Sequence, residues 1–260
     1  MLLKDQVVIV TGAGKGIGRE TALRVAREGA AVVAAAHTAS DLESLVKEIK
    51  AGGGRALAVP ADVSVPAQAK AIADGAIEAF GKIDVLINNA GGNISPTELI
   101  DLDVRQWDQV FNNNIRGSML CSQYALKHMV PRKSGSIIHV ASTALARGLP
   151  GLNAYAAAKF ALVGLTRAMA NELGKHNIRV NVIVLGHIKT DNLVASFQAT
   201  AARTGVPYAD VLRAREVLSP MNRLTDSSEV ADFMVFLSSH LGRGINGQSL
   251  TVASGGWMNM

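Results

Sequence analysis

A chain of 260 residues with 48% hydrophobic residues and a net charge of +5 is too apolar for a disordered protein. It has no apolar run near the roughly 18 residues that span a bilayer, and a lone Cys121 excludes an internal disulfide. The positive charge is dispersed with few interleaved aromatics, which argues against a nucleic-acid binder and suits a phosphate-bearing cofactor or an acidic substrate.

The N-terminus, MLLKDQVVIV, runs straight into a strand-like segment without the regions of a signal peptide, so a cytoplasmic protein is expected. Short apolar runs then alternate with helical stretches. Strands are predicted at Val7–Val10, Ala31–Ala36, Ala56–Val59, Val85–Ile87, Ile137–Val140, Val180–Leu185 and Ser249–Val252. Their near-continuous Val and Ile content fits parallel strands buried on both faces. After Asn153, apolar residues at Ala158, Ala161, Leu162, Leu165, Ala168 and Met169 mark one helix face. The alternation implies one α/β domain over residues 1–260, a doubly wound Rossmann-type parallel sheet flanked by helices. Cys121, in an apolar helical stretch, reads as a buried structural thiol.

Between the first strand and a helical stretch lies Thr11-Gly12-Ala13-Gly14-Lys15-Gly16-Ile17-Gly18. Glycines allow a sharp turn and close approach to a pyrophosphate, and the helix N-terminus supplies free N–H groups. The spacing is G-x-x-x-G-x-G and not the commoner G-x-G-x-x-G. At the end of the second strand, Ala36-His37-Thr38 carries no carboxylate for a ribose 2′-hydroxyl. Lys15 and His37 can instead face a 2′-phosphate, with Thr38 donating a hydrogen bond, which favours NADP(H) over NAD(H).

Asn88-Asn89-Ala90-Gly91 ends an earlier strand with small residues that leave space beside a cofactor. Asn114 falls in the helix after Trp107; a buried helical asparagine either serves a structural partner or holds water in a proton relay. Ser142 ends the strand Ile137–Ala141 and points its hydroxyl at the crevice, where it can hydrogen-bond a substrate oxygen. Thirteen positions later, Tyr155 and Lys159 share one helix face. A free tyrosine, with a pKa of about 10, is a poor proton donor and acceptor near neutrality; a nearby ammonium lowers that value. No His, Cys or carboxylate cluster has metal-ligand spacing. Between Gly186 and Arg223 no strand is predicted. Thr190 to Leu218 reads as one or two short helices broken near Gly205 and Pro207, a helical lid over residues 190–220 or a solvent-facing insertion.

Together these motifs resemble the short-chain dehydrogenase/reductase family, with 3-oxoacyl reductases and alcohol dehydrogenases among the members it suggests. The match runs through T-G-x-x-x-G-x-G at Thr11–Gly18, Asp62-Val63, N-N-A-G at Asn88–Gly91 and N-x-x-G at Asn114–Gly117. It continues with Ser142, Y-x-x-x-K at Tyr155–Lys159, and G-x-x-x-T at Gly186–Thr190. The resemblance implies that Asp62 contacts adenine, that Ser142 polarises a carbonyl, and that Asn114 completes a tetrad with Ser142, Tyr155 and Lys159. It implies that Ile188 and Thr190 touch the nicotinamide end, and that the chain is a homotetramer or homodimer. Its long helices at 104–129 and 153–174 would pair, with a second contact at the last strand and Trp257–Met260. Members with a basic residue just before the glycine at position 16 usually take NADP(H) and carry arginine where His37 stands. Leu185-Gly186 replaces the usual Pro-Gly, Val252-Ala253-Ser254-Gly255-Gly256 replaces V-D-G-G, and Asn113 stands at a usually apolar place.

The expected activity is hydride transfer between NADP(H) and a carbonyl or secondary alcohol, with Tyr155 as general acid/base. Two alternatives stand beside it: an NAD-dependent alcohol or hydroxy-acid dehydrogenase on the same scaffold, and a non-catalytic redox-sensing protein that binds the cofactor. Ketones, 3-oxoacyl thioesters, steroids and sugars all remain open as small-molecule substrates. Leu145, Leu149, Leu152, Leu193, Val194, Phe197 and Leu212 either make a partly apolar pocket or pack in the core. His187 and Arg147 are candidates to meet an acidic substrate group.

Overall fold

In the computed structural model, which describes residues 1–92 and 96–256, seven parallel strands form one sheet in the order β3-β2-β1-β4-β5-β6-β9. They are β1 (Val7–Thr11), β2 (Ala31–Ala36), β3 (Arg55–Pro60), β4 (Val85–Asn88), β5 (Gly135–Ser142), β6 (Ile178–Leu185) and β9 (Ser249–Val252). Every strand predicted from sequence is present, extended by at most two residues at an end. The helices are α1 (Gly16–Arg27), α2 (Ala39–Ala51), α3 (Pro66–Phe80), α4 (Val104–Phe111), α5 (Gly117–Arg132), α6 (Ala144–Arg147) and α7 (Asn153–Leu173). Three more follow, α8 (Asp191–Thr204), α9 (Tyr208–Glu216) and α10 (Ser227–Ser238).

The two-residue period of a strand decides which side chain meets which layer. Val8 and Val10 of β1 pack with α1, α2 and α10, while Val7 and Ile9 pack with α3, α5 and α7. Both faces are therefore covered, as the Val/Ile-rich strands require. Cys121 is buried in the second layer, and burial pushes its thiol up to about 12, so it is an inert packing group. The strand order reverses between β1 and β4, which opens a crevice beyond their carboxyl ends.

Two departures from the predicted elements shape that crevice. The region from Gly186 to Arg223 does contain a strand: β7 (Ile188–Lys189) pairs in parallel with β8 (Thr225–Asp226), and the Thr225 N–H also donates to the His187 carbonyl at 3.2 Å. This pair is two residues long and has no readable period. It closes the base of the insertion formed by α8 and α9, which break at Gly205 (φ 72°) and Pro207 as expected. Asn114 is not in a regular helix either. The turn Asn112–Arg116, between α4 and α5, is widened to i→i+5 hydrogen bonding. Trp257–Met260, expected at a subunit contact, lie outside the described residues.

Asp84, just before β4, ties three elements together. It accepts from the Val7 N–H at 2.8 Å, from Arg132 at 2.6 Å and from Lys82 at 2.9 Å. Burial works to raise its pKa, but Arg132, Lys82 and the Val7 amide prevail and hold it below the usual carboxylate range. Asp84→Ala is expected to cost about 2–3 kcal/mol, because it strands two cations and an amide. Urea unfolding of both proteins across pH checks this. The gap should hold above pH 4 and close below it, as the wild-type carboxylate protonates.

Candidate active site

The loop from β1 to α1 is held in shape by its neighbours across the sheet. Thr11 Oγ1 accepts from the Asn89 and Ala90 N–H groups at 3.1 and 3.0 Å. Asn89 Nδ2 donates back to the Thr11 and Gly12 carbonyls at 3.0 and 3.2 Å. Gly18 has no room for a side chain: a Cβ there would lie 2.2 Å from the Gly12 carbonyl oxygen. Helix α1 starts at Gly16 with no side-chain cap, so its first N–H groups face the crevice without a protein acceptor from a cap. These observations fit a pyrophosphate lying on the loop.

A cavity of about 640 Å³ runs from this loop to the ends of β5 and β6. Gly12, Lys15, Gly16, Ile17, Gly18, Asn89, Ala90 and Gly91 line one part, and Ser142, Tyr155, Lys159, Gly186, Ile188 and Thr190 line the other. Residues spread over the chain from 12 to 190 therefore share one space. A second cavity of about 280 Å³, beside the ends of β2 and β3, is lined by His37, Val63, Gly91 and Asn113 among others. Gly14, Thr38, Asp62 and Asn114 line neither. Asp62 lies close enough for His37 to act on it electrostatically. Burial alone would raise its carboxyl, but the Ser64 hydroxyl and amide, at 2.7 and 2.8 Å, and His37 hold it low.

Lys159 is buried, and its ammonium donates to the Val140 carbonyl at 2.8 Å. Desolvation pushes its pKa down to about 8. The same Nζ lies 5.6 Å from the centre of the Tyr155 ring. Burial pushes the Tyr155 phenol up, and a hydrogen bond with Ser142 pulls it part of the way back. In this arrangement desolvation is the larger effect on Tyr155, and Ser142 acts against it. Ser142 Oγ also accepts from the Ala144 N–H at 3.2 Å.

The Asn114 side chain has backbone partners. Its Nδ2 donates to the carbonyls of Gly92 and Val110, both at 2.8 Å, and its Oδ1 accepts from the Gly92 N–H at 3.1 Å. It sets the backbone beside Lys159: a Cβ on Gly91 would lie 2.4 Å from Asn114 Oδ1 and 3.3 Å from Lys159 Nζ.

Four contributors escaped the sequence reading. Asp41 reaches over from the first turn of α2 and pairs with Lys15 at 3.3 Å, so a carboxylate does approach this region although the end of β2 has none. Asn192 and Ser196 of α8 line the main cavity. His139, in the middle of β5, is fully buried opposite Asn88 of β4, with Nδ1 and the Asn88 Nδ2 3.3 Å apart. Asn88 Nδ2 also donates to Ser122 Oγ at 3.0 Å. A histidine inside Ile-Ile-His-Val was the available signal. Of the apolar side chains that could either line a pocket or pack in the core, Leu193 lines the cavity, Leu145 packs against Val163, Val182 and Val184, and Phe197 is buried on α8.

Comparison with known proteins agrees with this geometry. The model of the short chain dehydrogenase family matches residues 6–201. This chain belongs to that family. It is 36% identical over 252 residues to the short-chain reductase protein NovJ of Streptomyces niveus, covering 97% of this chain and 94% of that protein. It is 32% identical over 255 residues to the 3-oxoacyl-[acyl-carrier-protein] reductase FabG of Thermotoga maritima, covering 98% and 99%. Its fold superposes on L-sorbose reductase from Gluconobacter frateurii, solved with NADPH and L-sorbose, with a TM-score of 0.95 and 28% identity over 100% of both chains. A 7α-hydroxysteroid dehydrogenase solved with NADH and 7-oxo glycochenodeoxycholic acid gives a TM-score of 0.88 at 33% identity, covering 97% of this chain and 94% of that one. The family member is an NAD(P)-dependent oxidoreductase acting on CH–OH or carbonyl groups of small molecules. Among the described residues, no helix is long and apolar enough to cross a membrane.

The buried imidazole has a measurable consequence. Burial, reinforced by Lys159, pushes His139 down to about 4. The unfolded chain therefore binds a proton that the folded chain refuses as pH falls from about 6.5 towards 4, and stability should drop by about 3 kcal/mol across that window. His139→Asn should flatten this component in paired denaturation curves. Parallel curves for the two proteins would show that His139 is not buried as a neutral ring.

Proposed function

We propose that the chain is an NADP(H)-dependent reductase of ketone carbonyls, reversible toward secondary alcohols, with Tyr155 as general acid/base. The observation that carries this reading is the meeting of Ser142, Tyr155 and Lys159 in the same cavity as the glycine-rich loop. A bound nicotinamide supplies or accepts the hydride. The Gly12–Gly18 loop holds the cofactor phosphates, Asn89, Ala90 and Gly91 flank it, and Gly186, Ile188 and Thr190 bound its nicotinamide end. Val63 and Asp62 serve the adenine side.

Tyr155 gives its proton to the developing alkoxide, and Ser142 stabilises the same oxygen by hydrogen bonding. A phenol pushed up by burial stays protonated at neutral pH, which is the form an acid needs. Lys159, at about 8, is placed to restore the proton and to hold a cofactor hydroxyl. Asn114 orders the Gly91–Gly92 backbone that faces Lys159. Residues 1–260 act as one catalytic domain, in the cytoplasm, as a homotetramer or homodimer. Exposed Met119 and Phe160 on α5 and α7 suit pairing of those helices.

Tyr155→Phe is expected to lower kcat by about 10²–10⁴-fold. NADPH affinity, read by fluorescence titration, should stay near the wild-type value. Near-normal turnover would remove Tyr155 from the role.

For the cofactor, Lys15 and His37 support NADP(H), with Thr38 near the same phosphate. Asp41 favours the second reading, NAD(H), because it lies against Lys15 and its charge opposes a 2′-phosphate. Asp41→Asn should therefore raise the ratio of kcat/KM for NADPH over NADH by about tenfold, the effect of one like charge removed near a phosphate. An unchanged ratio would place Asp41 outside the phosphate's reach.

A further inference from the structure

Beyond the main cavity a narrow slot opens behind Gly186 and His187, which line both spaces. Thr143, next to Ser142, also lines it. Four cationic or cation-forming side chains face this slot: Arg147 from the end of α6, His187 from the β6–β7 link, Arg215 from lid helix α9, and Arg223. Arg223 is neutralised by Glu229 through two contacts of 2.6 and 2.7 Å. Among the described residues, neither Arg147 nor Arg215 has a carboxylate within 4.0 Å, although Arg19, Arg24, Arg132 and Arg223 are paired at 2.5–2.7 Å. Two separate helices, α6 and α9, thus bring two arginines to the same slot beside His187 with no carboxylate partner among the described residues.

We propose that this slot is an anion subsite, which receives a carboxylate carried by the substrate on the far side of the carbonyl that meets Ser142 and Tyr155. The proposal deepens the reductase reading and rests on it for the place of the reacting carbon. The slot has about 10 Å³ of open space, room for one oxygen of the anion, with the rest of the group on the His187 side. The planar fork of arginine matches a carboxylate edge, and Arg215 on the lid would couple anion capture to the position of α9. Burial depresses the His187 imidazole, and Arg147 and Arg215 depress it further, so without an anion the two arginines meet a neutral ring.

The test compares kcat/KM for levulinate and its longer homologues with that for their methyl esters, using NADPH. Wild type should prefer at least one free acid by about tenfold or more, the effect of one charge-assisted hydrogen bond. That acid-to-ester ratio should fall to about one in Arg147→Gln/Arg215→Gln. In parallel, glutarate binding to the NADPH-saturated protein is measured by calorimetry, which needs no turnover. It should weaken at least about tenfold in the double variant and in Arg215→Gln alone, a change on an exposed helix. Esters reduced as well as acids by wild type, or glutarate binding that is absent or survives both variants, overturns the subsite. Glutarate binding that depends on the arginines, with no acid or ester reduced, keeps the subsite and overturns the reductase reading.

Discussion

The hydrogen bond from the Lys159 ammonium to the Val140 carbonyl joins the sheet to α7, the helix that carries Tyr155 and Lys159. It fixes α7 against the end of β5, and with it the place of Tyr155 relative to Ser142. Lys159 is buried and has no carboxylate partner among the described residues. Its pKa of about 8 means that keeping it charged at neutral pH costs the fold about 3 kcal/mol. Such a cost is tolerated where a cation is needed near a reacting group. The surroundings are arranged to accept it: Gly91 leaves room at 3.3 Å, Asn114 holds Gly92, and His139 is kept neutral on the same strand.

The glycine-rich loop depends on the same logic of close approach. Gly12 and Gly18 sit where any side chain would strike backbone, and Asn89 binds the loop from β4. The cofactor loop and the Ser142–Tyr155–Lys159 group are thereby referred to one rigid sheet, whose order reverses at β1 and β4. The insertion α8–α9 is closed at its base by the β7–β8 pair, and Phe197 of α8 is buried. Asn192 and Ser196 of this insertion line the main cavity, and Arg215 lines the neighbouring slot.

Much of this was legible in the sequence because periodic burial and motif order are local signals. The buried strands announced themselves through Val and Ile runs, and the break at Gly205 and Pro207 through backbone preference. Ser142, Tyr155 and Lys159 were readable because a strand end and a four-residue helix spacing fix their directions. What stayed hidden depends on contacts between distant segments. The widened turn at Asn112–Arg116 has no composition signature, so the Asn114 side chain could not be assigned to Gly92. Asp41 meets Lys15 only after β2 and α2 are folded beside α1. The two-residue β7–β8 pair is too short for any period. Leu145 could not be told from a pocket residue, since core packing and pocket lining use the same side chains.

The central claim is that the site holds Tyr155 as a protonated phenol, tuned by Ser142 against the burial that surrounds it. Carbon NMR of ring-labelled tyrosine in the free protein measures this directly. The chain has 3 tyrosines, and loss of one signal in Tyr155→Phe assigns the residue. The account predicts that Tyr155 ionises above the ordinary value of about 10, and higher still in Ser142→Ala. Ionisation near or below neutrality in the free protein would contradict it.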